Sequence, residues 1–514
     1  MSRINTNISS VVAQSNLSKT QKELQVRLER LSTGLRINRG ADDPAGLIVS
    51  ERLRSDIQGV SSAVKNSDRA SSVISTTEAA LAEVSDLLNS IKSLVVEAAN
   101  TGGSSPEERS ANQLQIDSAI ESITRISNTT SFGGLKLLTG NLDYRLSGLR
   151  SSAISKAQIY GANFVNNQTV QVDVDVITSA QKGEIYFRGD STVNPGRMVS
   201  AVTLEISGTR GVEVISLPQS ATLQNLIDAV NRMTALTGVE AQAVTVSAVD
   251  GIRFKTENFG SDEFVGVRRL AKPDPASDFF SGKLYKFDQA AAGDPNFSTW
   301  VGMISGERDP GRDVVALING NLATGRGLKI STNSSSLSAE LLLHEDLAIR
   351  PTAAISSFNI TGGGALFQLG QDVTALQQAN LGLPTIAASN LGGVLISGRI
   401  EYLSSLKDGS TNSIAASVQR GDFSLASDIL DQAVDEISIL RGRLGAFERN
   451  VLQTNTRSLQ SAFENLSASE SRIRDADFAY ETSKLTRAQI LTSAGTSILG
   501  LANQQSQQVL QLLG

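Results

Sequence analysis

The chain contains no cysteine. It therefore holds no disulfide, no Cys-based zinc site and no thiol nucleophile, and it suits any redox compartment. Aromatic residues are scarce at 4%, with a single tryptophan, Trp300, which is lean for an enzyme of 514 residues. Leu, Ile, Val and Ala take the place of bulky aromatic cores, as they do in helix–helix seams. The one histidine, His344, lies in ELLLHEDLAI, where Ala348 occupies the place of the second His in H-E-x-x-H, and no G-x-S-x-G elbow accompanies it. It reads as a surface or packing residue. No apolar run approaches the ~18–20 residues of a membrane span. A net charge of -6 gives no sign of a broad basic face for nucleic acid. The start, MSRINTNISSVVAQSN, lacks an apolar h-region and a small-residue cleavage site, so no ordinary signal peptide is expected. Hydrophobic content of 40% and a mean hydropathy of -0.07 fit a soluble protein long enough for several domains.

Charge is missing from both tips. Residues 488–514, AQILTSAGTSILGLANQQSQQVLQLLG, carry none, and residues 1–18 carry only Arg3. Both tips end amphipathic helices. The apolar stripes of such uncharged helices must be buried, against each other and against further copies.

The first helix pattern runs from about Ile4 to Ile37. Leu24, Leu28, Leu31 and Leu35 repeat at coiled-coil spacing, with a looser stripe of Ile4, Ile8 and Val11 ahead of them. INRGADDPAG then breaks the helix: Gly40 is a flexible point, Asp43 an N-cap and Pro44 a first helical residue. From Pro44 to about Asn100 a second helix carries Leu53, Ile57, Val60 and Val64, then Ile74, Leu81, Val84, Leu88, Ile91 and Val95. At 1.5 Å per residue it is roughly 80 Å long. TGGSSPEE starts a third helix, with Ile116, Ile120 and Ile123 on one face.

From about 140 to 420 the pattern changes. QTVQVDVDVI and GIRFKTENF alternate with period two and read as half-buried strands, with ATLQNLIDAVNRMTALTG as a short amphipathic helix between them. AKPDPASDFFSG and GERDPGRD mark turns. Helical periodicity returns near Ser424, where Ala433, Ile437, Leu440, Leu444, Phe447 and Val451 are spaced by four, three, four, three and four. Leu459, Phe463 and Leu466 continue that rod, and SASESRIRDADFAYE marks a joint. The last helix aligns Leu491, Ala494, Ile498 and Leu501, with Leu512 further along. The expected fold is mixed: a long α-helical coiled-coil core from both termini, with a β-rich (α+β) outer insert projecting from it.

Little else carries chemistry. ITGGGALFQLG and NGNLATGRGLK do not match the phosphate-binding G-x-x-x-x-G-K-[ST] and read as turns before strands. Asp42/Asp43 and Asp475/Asp477 lie at helix joints, where capping requires carboxylates. STNSSSLS, 331–338, reads as a polar loop able to accept sugars after export.

The arms resemble those of bacterial flagellins, the subunits of flagellar filaments. The residues concerned are RLSTGLRINRGADDPAGLIVSERLRSDI (30–57), RISNTTSFGGLKLLTG (125–140), LRGRLGAFERN (440–450) and residues 469–514. VTLEISG…RFKTE is similar to a β–helix–β unit of flagellin outer domains, and NITGGGALFQLG with the following NLG is similar to longer members of the family. The resemblance implies an inner helical layer from residues 1–43 and 471–514, a second layer from 44–140 and 421–470, and a surface-exposed insert from 141–420 of one or two domains. It implies a secreted, extracellular homopolymer for motility. Export would be type III and unfolded, with flagellar cap and junction proteins and an export chaperone as partners. It implies no catalysis, cofactor, metal, membrane or nucleic acid.

Leu53, Ile57, Leu88, Ile91, Leu440, Leu444, Phe447, Ile498 and Leu501 are the expected assembly seam, with Asp43 and Pro44 at the helix joint. Two positions depart from the family: Ser506 replaces a common Pro in the tail, and Ser90 stands where a receptor-read pattern has Arg. The alternatives are a hook–filament junction protein, a filament with an enzymatic insert, which the missing H-E-x-x-H opposes, and a filament with an adhesive outer domain.

Overall fold

The structure is a computed structural model that describes residues 7–162, 164, 169–188, 201–219, 221–246, 249–270, 283–287, 303–334, 336–349, 355–396 and 399–513, with backbone only at 245–246, 249–250 and 506–513. Ile4, Trp300 and the AKPDPASDFFSG turn lie outside the described residues, as do the side chains of Ser506 and Leu512. The helices used below are α1 (Ile8–Thr33), α2 (Pro44–Ala99), α3 (Pro106–Thr129), α4 (Leu223–Arg232), α5 (Ile414–Arg420), α6 (Ser424–Phe447), α7 (Gln453–Arg474) and α8 (Phe478–Leu513). The fold is thus helices, a β-rich middle and helices again. Two compact units divide it: residues 1–70, 368–377 and 449–514 form one, and 71–367 with 378–448 form the other.

Local chemistry sets the helix ends. Asn7 Oδ1 accepts from Ser10 N at 3.1 Å to open α1, and Gly34, at φ 71°, closes it earlier than the apolar periodicity predicts. Ser105 and Glu108 form a capping box at α3, where Pro106 fills the first helical position. Beside Ser50 and Val73, the buried positions of α2 run Val60, Ala63, Ser67, Ala70, Ile74, Thr77, Leu81, Val84, Leu88, Ile91, Val95 and Ala98. This is an unbroken three–four alternation in which even polar positions keep the phase. Ser67 and Thr77 return their hydroxyls to their own helix, on Ala63 O and Val73 O.

In the larger unit the α2 stripe from Ile74 onward, Ile116, Ile120 and Ile123 of α3, and Ile429, Leu430, Ala433, Ile437, Leu440 and Leu444 of α6 are all buried. Gln113 is a buried polar link in this region: its Nε2 donates to Leu406 O at 2.9 Å and its Oε1 accepts from Ile414 N at 2.8 Å. Two β assemblies follow. In the first, a five-stranded sheet (Asn321–Leu322, Val315–Ile318, Val170–Thr178, Ile355–Gly363, Tyr144–Ser147) and a four-stranded sheet (Thr324–Arg326, Lys329–Asn333, Leu337–Leu343, Ile154–Ala162) share one core. Val172, Val174 and Val176 point inward, as alternation requires.

The second assembly likewise shares a core between two sheets and packs α4 against it through Leu223, Leu226, Ile227 and Val230. Residues 331–333 and 337–338 are strand, not loop: Lys329–Asn333 and Leu337–Leu343 pair antiparallel, because Ile330, Thr332 and Leu337 supply an inward face. Gly362, Gly363 and Gly364, all at positive φ, make the turn that joins Ile355–Gly363 to Ala365–Gln368. The first β assembly is tied to α6 by Lys156–Glu436 at 2.7 Å and by Arg443, which donates to Ser338 Oγ at 2.8 Å and lies 3.7 Å over the Tyr160 ring.

Candidate assembly surface

In the smaller unit α1 and α8 pack antiparallel. Asn7 Nδ2 donates to Ala502 O at 2.9 Å, Ser10 Oγ donates to Asn503 Oδ1 at 2.7 Å, and Gly495 faces Leu17. The covered positions of α1 are Ser10, Ala13, Leu17, Thr20, Leu24, Arg27 and Leu31; those of α8 are Glu481, Leu485, Ala488, Thr492, Gly495, Leu499 and Ala502. Both sets keep a heptad phase. The stripe that packs on α1 is therefore not the one that large apolar residues mark. Small residues hold the crossing because they let the two backbones approach: a Cβ on Gly495 would lie 3.2 Å from Leu17 Cδ1.

The large residues form a second stripe on α8. Leu491, Ala494, Ile498 and Leu501 are exposed, Ile498 by 56% and Leu501 by 62%, and Ile490 beside them by 63%. On α1, Ile8, Val11, Val12 and Leu28 are exposed in the same way, so Leu28 departs from the seam expected for it with Leu24 and Leu31. Helices with uncharged tips and two apolar stripes, one covered and one bare, are incomplete as isolated objects.

One buried charge sits in the covered seam. Glu481 is 3% exposed and accepts from Arg27 Nη1 at 3.1 and 2.9 Å and from Arg30 Nη1 at 3.1 Å. Two guanidinium groups on one carboxylate fix the register and the antiparallel direction of the pair. A recognisable sequence signal was present, since Arg27 and Glu481 occupy heptad positions that Leu or Ala fill elsewhere; it was missed because each charge also looks like an ordinary surface residue.

The two arms change helices together. Leu35 and Asp475 form an antiparallel bridge, Arg36 N donates to Arg474 O at 2.7 Å, and Ala476 N donates to Gly34 O at 2.9 Å. Asp42 Oδ2 accepts from Asn38 N and Arg39 N, and the Arg39 N–H holds its carboxyl below the usual range. Asp43 Oδ1 accepts from Gly46 N at 2.9 Å with Pro44 as the first residue of α2, and Asp477 Oδ1 accepts from Tyr480 N at 3.0 Å at the start of α8. A Cβ on Gly46 would lie 2.8 Å from Ile37 Cδ1 and 2.5 Å from Asp43 Oδ2, so the cap requires glycine there.

The remaining singled-out residues separate by burial. Leu88, Ile91 and Leu444 are fully buried and Leu440 nearly so, Leu53 and Ile57 are half-buried, and half-buried Phe447 meets Phe367 with ring centroids 6.0 Å apart. His344 caps a helical turn, its Nδ1 accepting from Asp346 N at 3.2 Å. Among the described residues no helix is long and apolar enough to cross a membrane.

Comparison with known proteins identifies the two arms. Residues 4–143 match the bacterial flagellin N-terminal helical region, and residues 427–513 match the bacterial flagellin C-terminal helical region. The chain belongs to the bacterial flagellin family. It is 27% identical to a flagellin of Salmonella muenchen, 24% identical to flagellin A of Helicobacter pylori and 28% identical to the B-type flagellin of Pseudomonas aeruginosa, in each case over 99% of both chains. As a flagellin it is a structural protein, a subunit that self-assembles into the flagellar filament.

Proposed function

We propose that this flagellin polymerises through the bare apolar stripes of its terminal helices, with Ile498 and Leu501 as direct contacts between copies. Leu88, Ile91, Leu440 and Leu444, buried within one chain, would serve assembly indirectly by holding the rods that present those contacts. Leu53, Ile57 and Phe447, half-buried, would take part in both roles. Asp43 and Pro44 would set the joint at which α1 gives way to α2. Residues 1–43 and 471–514 would line the inside of the filament, 44–140 and 421–470 the layer around it, and 141–420 the surface. The filament would be extracellular and its subunit without catalytic activity, reached by type III export with a chaperone and placed beneath a cap and beyond a junction protein.

The observation that carries this reading is the pairing of a covered seam with a bare one on the same helix. Leu501→Asp tests it. Because Leu501 is mostly solvated in the single chain, the variant should keep subunit stability within about 0.5 kcal/mol. It should nevertheless form no filaments when seeded, by electron microscopy. Normal filaments from Leu501→Asp would remove the bare stripe from the assembly surface.

A further inference from the structure

The first β assembly turns one face of its five-stranded sheet away from the core. Along Val170–Thr178 the side chains alternate: Val172, Val174 and Val176 point inward, while Asp173, Asp175 and Ile177 lie on the outer face. Register sets a row across that face, with Leu322 opposite Leu317, Leu317 opposite Asp175, and Asp175 opposite Ile355. Leu322 is 70% exposed and Ile355 65%, and Ile177, two residues along the strand from Asp175, is 56% exposed. Single apolar residues on a surface are ordinary, but these gather around one carboxylate.

Asp173, the next outward carboxylate on the same strand, shows what is unusual about Asp175. The Ser357 hydroxyl and then Gln171, whose Nε2 donates to Asp173 Oδ1 at 2.9 Å, hold the Asp173 carboxyl below the usual range. Asp175 has no such donors. Its Oδ1 is shielded from solvent and accepts no hydrogen bond, although the residue as a whole is only half-buried. A shielded carboxylate oxygen without a donor is unfavourable. It gains most from a cation carried on an apolar surface, which covers Leu322 and Ile355 in the same step.

The same assembly carries such cations elsewhere. Arg145 lies on the outer face of the edge strand Tyr144–Ser147, and Arg150 follows in the next turn beside Leu149. Both arginines are exposed, and among the described residues neither side chain has a hydrogen bond or an ion pair. Arg145 does not reach Asp175 of its own chain. On the strand between them Asp175 pairs with Ile355 and Arg145 with Gly362, a separation of about 20 Å or more at strand spacing. The acidic apolar row and the basic edge therefore complement each other only between copies. Such a contact is head-to-tail, and it repeats without closing, as a helical polymer requires.

We propose that Asp175 and the apolar row around it receive the Arg145–Arg150 edge of a neighbouring copy, joining the first β assemblies of adjacent subunits. This rests on the filament function, because the polymer brings the second copy within reach.

The test uses the full chain seeded into filaments, with every sample inspected by electron microscopy. Asp175→Arg filaments should depolymerise on heating about tenfold faster than the parent. Arg145→Asp with Arg150→Asp should do the same, and all three substitutions together should restore the rate to within about twofold of the parent. Parent-like rates in the separate reversals, or no recovery in the combination, overturn the contact. Leu322→Asp guards against misfolding, because this side chain is mostly solvated in the single chain. Its subunit melt should not move while its filaments depolymerise faster; an unchanged rate overturns the contact.

The absence of native cysteine permits a second reading. With Leu149→Cys and Leu322→Cys in one chain, a short bis-maleimide should link filament subunits into a ladder of dimers, trimers and longer products on a denaturing gel. Dimers alone, or no linked product from well-formed filaments, overturn this contact and leave the terminal stripes standing. Normal filaments from Leu501→Asp overturn the stripes instead, and a ladder in those filaments still supports this contact.

Discussion

The α1–α8 pair and the helical centre built from α2, α3 and α6 are both written in heptads, yet they spend them differently. In the centre, large residues are buried on one stripe: Leu81, Leu88 and Ile91 on α2, and Ile437, Leu440 and Leu444 on α6. On α1 no residue is fully buried. The α8 seam uses Ala488, Gly495 and Ala502, while Ile490, Leu491, Ile498 and Leu501 face water. A helix gains most of its stability from packing an apolar face. The centre obtains that within one chain, whereas the terminal pair leaves its larger apolar faces to be covered from outside. The difference teaches that a heptad repeat does not say whether its partner is in the same chain; burial does.

Substitutions that reverse the contrast should differ in kind as well as size. The largest effect belongs to Leu444→Asp, which places a carboxylate at a site with no exposure. We expect a loss of about 4–5 kcal/mol or more in the helical centre. Circular dichroism should show early melting of helix while the β assemblies keep their own transition, and filaments should be absent; an unshifted melt would refute the central seam.

Glu481→Ala acts on the terminal pair. It leaves Arg27 and Arg30 facing a seam without their shared carboxylate, at a cost of about 3 kcal/mol. Proteolysis should then open α1 and α8 while α2, α3 and α6 stay protected. Equal resistance to that of the parent would show that the charge is not what locks the pair.

An alkaline titration separates the β region from both helical ones. Burial pushes the Tyr144 phenol from 10.0 up to about 12, against the N–H donated to it by Ala162, which favours ionisation. Because the folded-state value is raised, this stabilisation is complete below pH 10.0 and is lost as pH rises toward about 12. That amounts to about 2–3 kcal/mol. Melting of the β region should fall over that window in the parent, and less so in Tyr144→Phe. The smallest effect on the subunit, and the sharpest on the polymer, is that of Leu501→Asp.

How much of this was legible beforehand varies by element. The rods were, because three–four spacing over dozens of residues has no other common cause. The joint was too: Asp43 and Asp477 are capping residues and accept from the first turns of their helices, and Pro44 opens α2. The covered stripe of α8 was not, since Gly495 and Ala502 carry little hydrophobic signal beside Ile498 and Leu501. The buried Glu481 was hidden for the converse reason: its partners lie more than 450 positions away along the chain. The turn of π-helix at Glu448–Leu452 was not, since a stripe that runs to Val451 and continues at Leu459, Phe463 and Leu466 reads as one rod.

By itself, then, the sequence determined the helical rods, the order of helices, sheets and helices, and the need of both tips for burial, because periodicity, caps and missing charge are local properties. Only the tertiary structure decided which stripe of each tip meets its own chain and which stays bare. Both stripes satisfy the same spacing, and the choice between them turns on how closely two backbones can approach and on where one buried carboxylate finds its two guanidinium partners.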